Sequence, residues 1–154
     1  MLSDEERQEI EAELPHYEDA GALSVDALKI VQRHRGWVDD DGLADCAEIL
    51  DLSVHELEGV ATFYNLIFRK PVGRHVMLLC DSISCWVCGY DALCGRLQER
   101  LGVPLGGTTG DDRFTLLPMN CLGNCDHAPT LMIDDDLYDD VTPEQVDDLL
   151  KEYA

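Results

Sequence analysis

The chain is poor in basic residues and has no long apolar run. Against 32 Asp and Glu residues it carries only 11 Lys and Arg residues, which leaves a formal net charge of -21 on 154 residues. This charge repels phosphate backbones and anionic lipid, so we expect no unaided binding to nucleic acid or to a membrane surface. No apolar stretch approaches the roughly 20 residues of a transmembrane helix, so we expect no membrane insertion either.

The sequence also lacks the marks of an exported, disulfide-bonded protein. Residues 1–6 have neither the positive end nor the apolar run of a secretory signal, which predicts a cytoplasmic protein. The seven cysteines are an odd number, and disulfides are rare in the cytosol. Metal or redox chemistry therefore explains the cysteines better than a disulfide framework does.

Capping patterns and apolar periodicity predict about four short helices in the first half of the chain. Ser3 with Glu6, and Ser53 with Glu56, form the reciprocal pattern of a capping box. The predicted inward-facing residues of the last three helices are Val25, Leu28 and Val31, then Leu43, Cys46, Ile49 and Leu50, then Leu57, Val60 and Phe63. Helices this short are marginal alone, so we expect them to pack as a bundle.

Composition changes at residues 69–74, where a proline, a glycine and three basic residues interrupt an acidic chain. We place a domain boundary there, with an N-terminal helical bundle at 1–70 and a second domain at 71–154. In the second domain the pattern predicts strands at 75–80, 113–118, 130–133 and 137–138, and helices at 90–101 and from Thr142 onward. A small mixed sheet with packed helices, of thioredoxin-like type, fits this order.

Four cysteines in two pairs carry the chemistry of the sequence. The pairs are Cys80-x4-Cys85 and Cys121-x3-Cys125, and each lies in a short polar or glycine-bearing loop after a predicted strand. Such loops suit a metal site on a rigid frame. Thiolates bind zinc, copper(I) or iron-sulfur clusters in preference to oxygen-seeking ions. Spacing alone leaves a structural zinc site and an iron-sulfur cluster both open.

A rival interpretation uses the overlapping motif at residues 85–88, Cys-Trp-Val-Cys. A C-x-x-C motif between a strand and a helix is typical of thiol-disulfide exchange. This interpretation leaves three cysteines without a role, whereas the four-ligand interpretation leaves Cys88 as an ordinary residue at a helix start. Cys46 and Cys94 lie beside apolar neighbours and are predicted to be core residues. For a cluster, Gly123 and Gly89 are candidates to turn backbone N–H groups toward sulfur.

Residues 75–85 and 114–126, together with 36–38 and 59–65, resemble one known family. That family is the E-type subunit of bacterial NADH:quinone oxidoreductase, respiratory complex I. The resemblance covers nearly the whole chain. It implies an α+β or α/β protein in which an N-terminal helical bundle precedes a thioredoxin-like 2Fe-2S ferredoxin domain. It also implies one 2Fe-2S cluster, with Cys80, Cys85, Cys121 and Cys125 as its ligands.

The resemblance further implies a non-catalytic, electron-carrying subunit of NADH dehydrogenase. Its cluster is expected to exchange single electrons with FMN on a neighbouring flavoprotein subunit, which binds NADH, beside further iron-sulfur subunits. Such a subunit is cytoplasmic and peripheral to the inner membrane through the complex. Residues 106–107 lack the strand-to-helix setting of a dinucleotide fingerprint, so NADH and FMN are expected on the partner.

Other functions stay open at this point. The same module serves NAD-linked hydrogenases and formate dehydrogenases, and the sequence separates these hosts poorly from complex I. A zinc-stabilised interaction module without redox activity is a second alternative, and a soluble thiol-disulfide oxidoreductase is a third. The metal content and the redox spectrum of the protein distinguish an iron-sulfur subunit from the zinc module and from the thiol-disulfide oxidoreductase, whereas copurifying subunits identify the host.

Overall fold

The computed structural model describes residues 1–153 and divides the chain into two compact units, Met1–Pro71 and the part from Val72 onward. The first unit is helical, with α1 (Asp4–Glu13), α2 (Ser24–Arg35), α3 (Asp40–Ile49) and α4 (Val54–Phe63). Two short 3-10 helices, Leu14–His16 and Ala20–Leu23, connect α1 to α2. The four predicted helices are confirmed.

Local capping chemistry sets the ends of these helices. Ser3 Oγ accepts a hydrogen bond from the Glu6 N–H, and the Glu6 carboxylate accepts one from the Ser3 N–H. Ser53 and Glu56 repeat this reciprocal pair at the start of α4. Each pair satisfies backbone donors that a helix start otherwise leaves free. At the other end of α2, Gly36 adopts a left-handed φ of 82° that glycine tolerates without strain.

The helical unit encloses an aliphatic core and one buried carboxylate. Its largest fully buried side chains are Ile10, Leu23, Leu28, Leu43, Leu50 and Leu57. Glu6 is only 2 % exposed, and its two oxygens accept bonds from Arg35 Nε at 2.6 Å and Arg35 Nη2 at 2.7 Å. This bidentate bond is the main reason why the pKa of Glu6 falls from an ordinary 4.5 to about 2.

Phe63 contradicts the inward face predicted for α4. The helix buries Leu57 and Ala61, which lie four residues apart on one face. Phe63 lies two positions beyond Ala61, about 200° further around the helix, and its side chain is 77 % exposed. Its ring meets the Tyr64 ring edge to face, with the centroids 5.4 Å apart. The prediction was wrong because it continued the apolar pattern past the last buried turn.

The second unit contains a four-stranded mixed sheet in the order β2-β1-β3-β4. The strands are β1 (His75–Cys80), β2 (Phe114–Met119), β3 (Leu131–Ile133) and β4 (Asp136–Tyr138). β1 pairs in parallel with β2 and antiparallel with β3, while β3 and β4 form a hairpin. The predicted mixed sheet is confirmed, with strand ends shifted by a residue or so.

Three helices accompany this sheet, α5 (Ile83–Cys88), α6 (Tyr90–Leu101) and α7 (Val146–Glu152). The core of the unit contains Met77, Leu79, Leu93, Leu97, Leu116, Leu131, Ile133 and Val146. α5 departs from the prediction of a loop leading into a single helix, because Gly89, at φ 124°, separates it from α6. Cys46 and Cys94 are buried, as predicted. Over residues 1–153, none of the helices is long and apolar enough to cross a bilayer.

Candidate metal centre

The two cysteine pairs begin at the same edge of the sheet. Cys80 is the last residue of β1, and Cys121 comes shortly after Met119, the last residue of β2, which lies opposite Cys80. Parallel neighbours run in the same direction, so their carboxyl ends meet at one edge. Beyond the strands, the Asp81 N–H donates to the Met119 carbonyl oxygen at 3.0 Å, which keeps the two outgoing chains together.

The first pair is buried. Cys80 is 2 % exposed at the end of its strand, and Cys85 is 1 % exposed in the first turn of α5. Burial raises the pKa of the Cys85 thiol, and the hydrogen bond and charge of Cys80 raise it further. Hydrogen bonds from the backbone and the side chain of Thr130 oppose this rise.

The second pair is exposed. Cys121 Sγ and Cys125 Sγ are 3.7 Å apart, too far for a disulfide bond of about 2.05 Å, and both thiols are free. Gly123 lies between them at a left-handed φ of 78°. Its N–H donates to Cys121 Sγ at 3.3 Å, which confirms the donor role predicted for this glycine. Cys125 then begins the 3-10 helix Cys125–His127.

Electrostatic interaction joins the two pairs. The hydrogen bond with Cys121 is the main reason why the pKa of Cys125 is raised, and the charge of Cys80 adds to it across the site. A side-chain hydrogen bond from Ser84, the residue before Cys85, opposes the rise. The structure therefore places both pairs beyond the ends of two neighbouring parallel strands, while over residues 1–153 no three Cys, His, Asp or Glu side chains are grouped closely enough to hold a metal ion.

The donor set and its grouping fit a cluster with two irons. The four donors are all sulfur, the soft ligand that an iron-sulfur cluster requires. Cys121 Sγ and Cys125 Sγ lie 3.7 Å apart, and Cys80 helps to raise the pKa of Cys85. In a 2Fe-2S cluster the four thiolates are divided between two irons, two on each. A structural zinc site also takes its ligands as two pairs in the sequence, around one ion. The donor set and its pairing therefore fit both groups.

The geometry of residues 85–88 argues against disulfide exchange. A reactive thiol in a C-x-x-C motif has a lowered pKa and is accessible to its target. Cys85 is buried and its pKa is raised, whereas Cys88, one helical turn further on, is the exposed member of the motif. Cys88 thus lies beside the four-cysteine group without replacing a member of it.

The structure corrects one predicted donor and adds two residues. The Gly89 N–H donates to the Cys85 carbonyl oxygen and ends α5, so this glycine does not point its N–H at a sulfur. Ser84 opposes the rise in the pKa of Cys125 and Thr130 opposes that of Cys85, and the sequence prediction missed both. Ser84 had a signal, because it directly precedes a candidate ligand. Thr130 had none, because it is remote in sequence from Cys85 and reaches it only through the fold.

Known proteins share this sequence and architecture. The pattern of the thioredoxin-like 2Fe-2S ferredoxin family matches residues 10–154. The E-type subunit of NADH-quinone oxidoreductase from Pseudomonas aeruginosa is 54% identical over 154 residues, which cover 100% of this chain and 93% of the relative. The corresponding subunit from Escherichia coli is 51% identical over 152 residues, 99% of this chain and 92% of the relative.

A solved structure has the same fold. The NAD+-reducing NiFe hydrogenase in its air-oxidized state aligns with a TM-score of 0.73 and 24% sequence identity, over 85% of this chain and 22% of the hydrogenase chain. The family match confirms the predicted thioredoxin-like 2Fe-2S fold class, and the relatives confirm the resemblance found in the sequence. The chain therefore belongs to the thioredoxin-like 2Fe-2S ferredoxin family, together with the E-type subunits of NADH-quinone oxidoreductase.

Proposed function

We propose that this chain is the electron-carrying subunit of an NADH-quinone oxidoreductase and that Cys80, Cys85, Cys121 and Cys125 hold its single 2Fe-2S cluster. The observation that carries the proposal is the convergence of two thiol pairs at one sheet edge, in a chain whose family is named for such a cluster. When bound, the cluster supplies one-electron transfer.

The two cysteine pairs would hold that cluster from opposite sides, one buried and one exposed. Cys80 and Cys85 supply the buried side of the site from a strand end and a helix. Cys121 and Cys125 supply the exposed side from a loop that Gly123 turns. The N–H of Gly123 donates a hydrogen bond to Cys121 Sγ, and such a donor stabilises thiolate charge.

The surface next to the thiols supports a protein partner. Ile83, Trp86 and Val87 are exposed apolar side chains on α5, the helix that carries Cys85. Large apolar groups clustered on a surface mark interaction sites, and tryptophan is a frequent anchor of such sites. We infer that this face meets the flavoprotein subunit of the complex, which binds FMN and NADH, with further iron-sulfur subunits beyond it.

The glycines of the second unit support the placement of NADH and FMN on that partner. A dinucleotide site needs free backbone N–H groups at a strand-to-helix turn. Here the Gly106 N–H donates to the Leu116 carbonyl oxygen at 2.6 Å, and the Gly107 N–H donates to the Pro104 carbonyl oxygen at 2.9 Å. Both donors are used within the fold.

We propose that the chain has two domains. Residues 1–70 form the helical domain, and residues 71–154 form the domain that holds the cluster. We place the protein in the cytoplasm, peripheral to the inner membrane through the other subunits of its complex. An NAD-linked hydrogenase or formate dehydrogenase is the alternative host, and the relatives' names favour the quinone-linked complex.

Metal analysis and EPR spectroscopy of the purified full chain test the cluster. We expect two irons per chain and a one-electron paramagnetic signal after reduction with dithionite. A colourless protein with one zinc would contradict the proposal and support the interaction module. Copurification through a tag on the chain tests the host: a flavoprotein with quinone-linked subunits supports the proposal, whereas copurified hydrogenase or formate dehydrogenase subunits favour the alternative.

A further inference from the structure

The loop that carries the exposed cysteine pair has little core packing of its own. Residues 120–129 all lie in the described part of the chain, and each is half-buried or exposed. Cys121 and Cys125 are both exposed thiols of this loop. A surface segment without buried side chains depends on hydrogen bonds for its shape. The bonds that fix this loop therefore decide where the two sulfurs lie.

The segment that follows β4, residues 139–141, supplies several of these bonds. The Asp140 N–H donates to the His127 carbonyl oxygen and the Val141 N–H to the Pro129 carbonyl oxygen, each at 2.9 Å. The Asp140 carboxylate also lies 3.2 Å from His127 Nδ1. Val141 is 2 % exposed and belongs to the core of the second unit. The segment is therefore a fixed support for the loop.

One side-chain bond from this segment reaches between the two cysteines. Asn124 directly precedes Cys125, and its Nδ2 donates to Asp139 Oδ1. From the side of β3, the Thr130 hydroxyl shares its proton between the carbonyl oxygens of Asn124 and His127, at 3.3 Å and 3.1 Å. A hydrogen bond to a carboxylate is stronger than one between neutral groups. Asp139 therefore holds the Asn124 side chain, whereas Thr130 holds the backbone.

We propose that Asp139 is a positioning residue that keeps the exposed cysteine pair in place for the bound cluster. Its carboxylate holds Asn124, and through Asn124 it holds the loop between Cys121 and Cys125. This inference rests on the proposed function, because it requires a cluster on the four cysteines. A metal centre is retained only while its ligands stay within a narrow range of positions. A loosened loop therefore loses iron faster and holds the cluster in a wider range of geometries.

The test uses variants of the full chain that separate the hydrogen bond from the charge. Asp139→Ala removes both, whereas Asp139→Asn removes the charge and keeps an acceptor oxygen. Asp135→Ala is the matched control, because it removes the same charge from an exposed residue of the turn between β3 and β4. The readouts are the rate of iron loss to a chelator and the g values and line widths of the EPR spectrum after reduction with dithionite. Urea denaturation reports the stability of each variant.

We expect Asp139→Ala to lose iron about fivefold faster and to have broader EPR lines, an effect of the size typical for one hydrogen bond. Asp139→Asn is expected to return both readouts toward wild type, because the amide oxygen accepts from Asn124. Asp135→Ala is expected to keep the wild-type rate and spectrum. The stability of all three variants should stay near that of the wild type, because the substituted side chains are exposed.

Asn124→Ala tests the same bond from the other side. It is expected to resemble Asp139→Ala in both readouts. The double variant, Asn124→Ala with Asp139→Ala, is expected to lose iron no faster than either single variant, because all three lack the same hydrogen bond.

Four results would overturn the inference, and they are distinguishable. A wild-type rate and spectrum in Asp139→Ala would refute the role of Asp139 and leave the proposed function standing. Equal changes in Asp139→Ala and in either Asp139→Asn or Asp135→Ala would assign the effect to charge. Additive effects in the double variant would show that Asn124 and Asp139 act separately. A wild-type chain without iron or an EPR signal would refute the proposed function, and this inference with it.

Discussion

The two units of the molecule surround their buried ionisable groups with different partners. In the helical unit, Glu6 is buried, and its bidentate bond to Arg35 lowers the pKa of the carboxyl to about 2. In the sheet unit, Cys80 and Cys85 are buried to the same degree, but burial and the neighbouring thiol raise the pKa of Cys85. The helical unit supplies the opposite charge for its buried anion from its own chain. The sheet unit surrounds its thiols with other thiols and with hydrogen-bond donors.

This difference teaches that burial of a titratable group does not by itself identify a functional site. Removing one partner of a buried ion pair costs stability, but an intact pair needs no ligand. Thiols that crowd one another gain from a bound cation, which neutralises the charge that crowding opposes. Cys46, a lone buried cysteine of the helical unit, also has a pKa raised by burial, to about 12. A thiol group suited to metal is therefore marked by its neighbouring thiols and not by the direction of its pKa shift.

The largest expected effect is loss of the cluster in Cys121→Ser. This variant removes one ligand of the exposed pair, and the neighbouring loop residues offer no substitute thiol. Cys85→Ser is expected to retain part of the cluster, since Cys88 lies one turn further along α5. Cys88→Ser is the control and should bind iron as the wild type does. Iron content per chain and the EPR signal are the measurements, and a normal cluster spectrum in Cys121→Ser would refute its assignment as a ligand.

A smaller effect is expected in the helical unit. Glu6→Gln removes the charge that Arg35 meets but keeps the shape of the side chain, and we expect a loss of about 3 kcal/mol in the free energy of unfolding. Urea denaturation measures this loss. Glu9→Gln is the control, because Glu9 pairs with Arg33 at the surface, where ion pairs contribute little. Iron content should stay unchanged in both variants. Loss of the cluster in Glu6→Gln would contradict the purely structural role of Glu6.

The same carboxylate predicts a dependence on pH. The pKa of Glu6 is lowered in the folded state, from an ordinary 4.5 to about 2. Its stabilising contribution is therefore fully present above pH 4.5 and is lost as the pH falls toward 2. We expect the stability difference between wild type and Glu6→Gln to shrink over this window, as measured by urea denaturation at a series of pH values. A difference that grows with acid would contradict the prediction.

The smallest expected effect concerns the partner surface. Trp86→Ala removes the largest exposed apolar side chain of α5, and we expect about tenfold weaker association with the flavoprotein subunit, typical of an interface anchor. Val54→Ala, at an exposed apolar position on α4 of the helical unit, is the control. Titration of the purified partner, followed by calorimetry, measures both. Equal weakening by the two variants would show that α5 of the sheet unit contributes no more to binding of the flavoprotein subunit than α4 of the helical unit does.

Local signals in the sequence predicted much of this fold. The capping boxes of Ser3 and Ser53, and the glycine that ends α2, depend on neighbours within one turn, so the helix bounds followed from the chain itself. The candidate ligands were also predictable, because paired cysteines after apolar strands are a specific pattern. The separation of α5 from α6 was missed, because only the fold shows the conformation of Gly89.

Long-range partners were beyond the reach of the sequence. Glu6 reads as a capping residue, and nothing near it in the chain indicates that it is buried against Arg35, 29 residues further on. Thr130 reads as the first residue of a strand. Its contacts with the thiol site depend on the register between β1 and β3, which the hydrophobic pattern of a three-residue strand does not specify. These residues required the tertiary structure.

The parallel pairing of β1 with β2 also has a consequence for the synthesis of the protein. Ribosomes make Cys80 and Cys85 before Cys121 and Cys125, and residues 81–113 must fold over as a crossover before the second strand can join the first. Such non-local pairing is slow to form. Iron that meets the nascent chain early therefore finds half of a binding site. Delivery after release from the ribosome suits this topology, because only then do all four sulfurs share one edge.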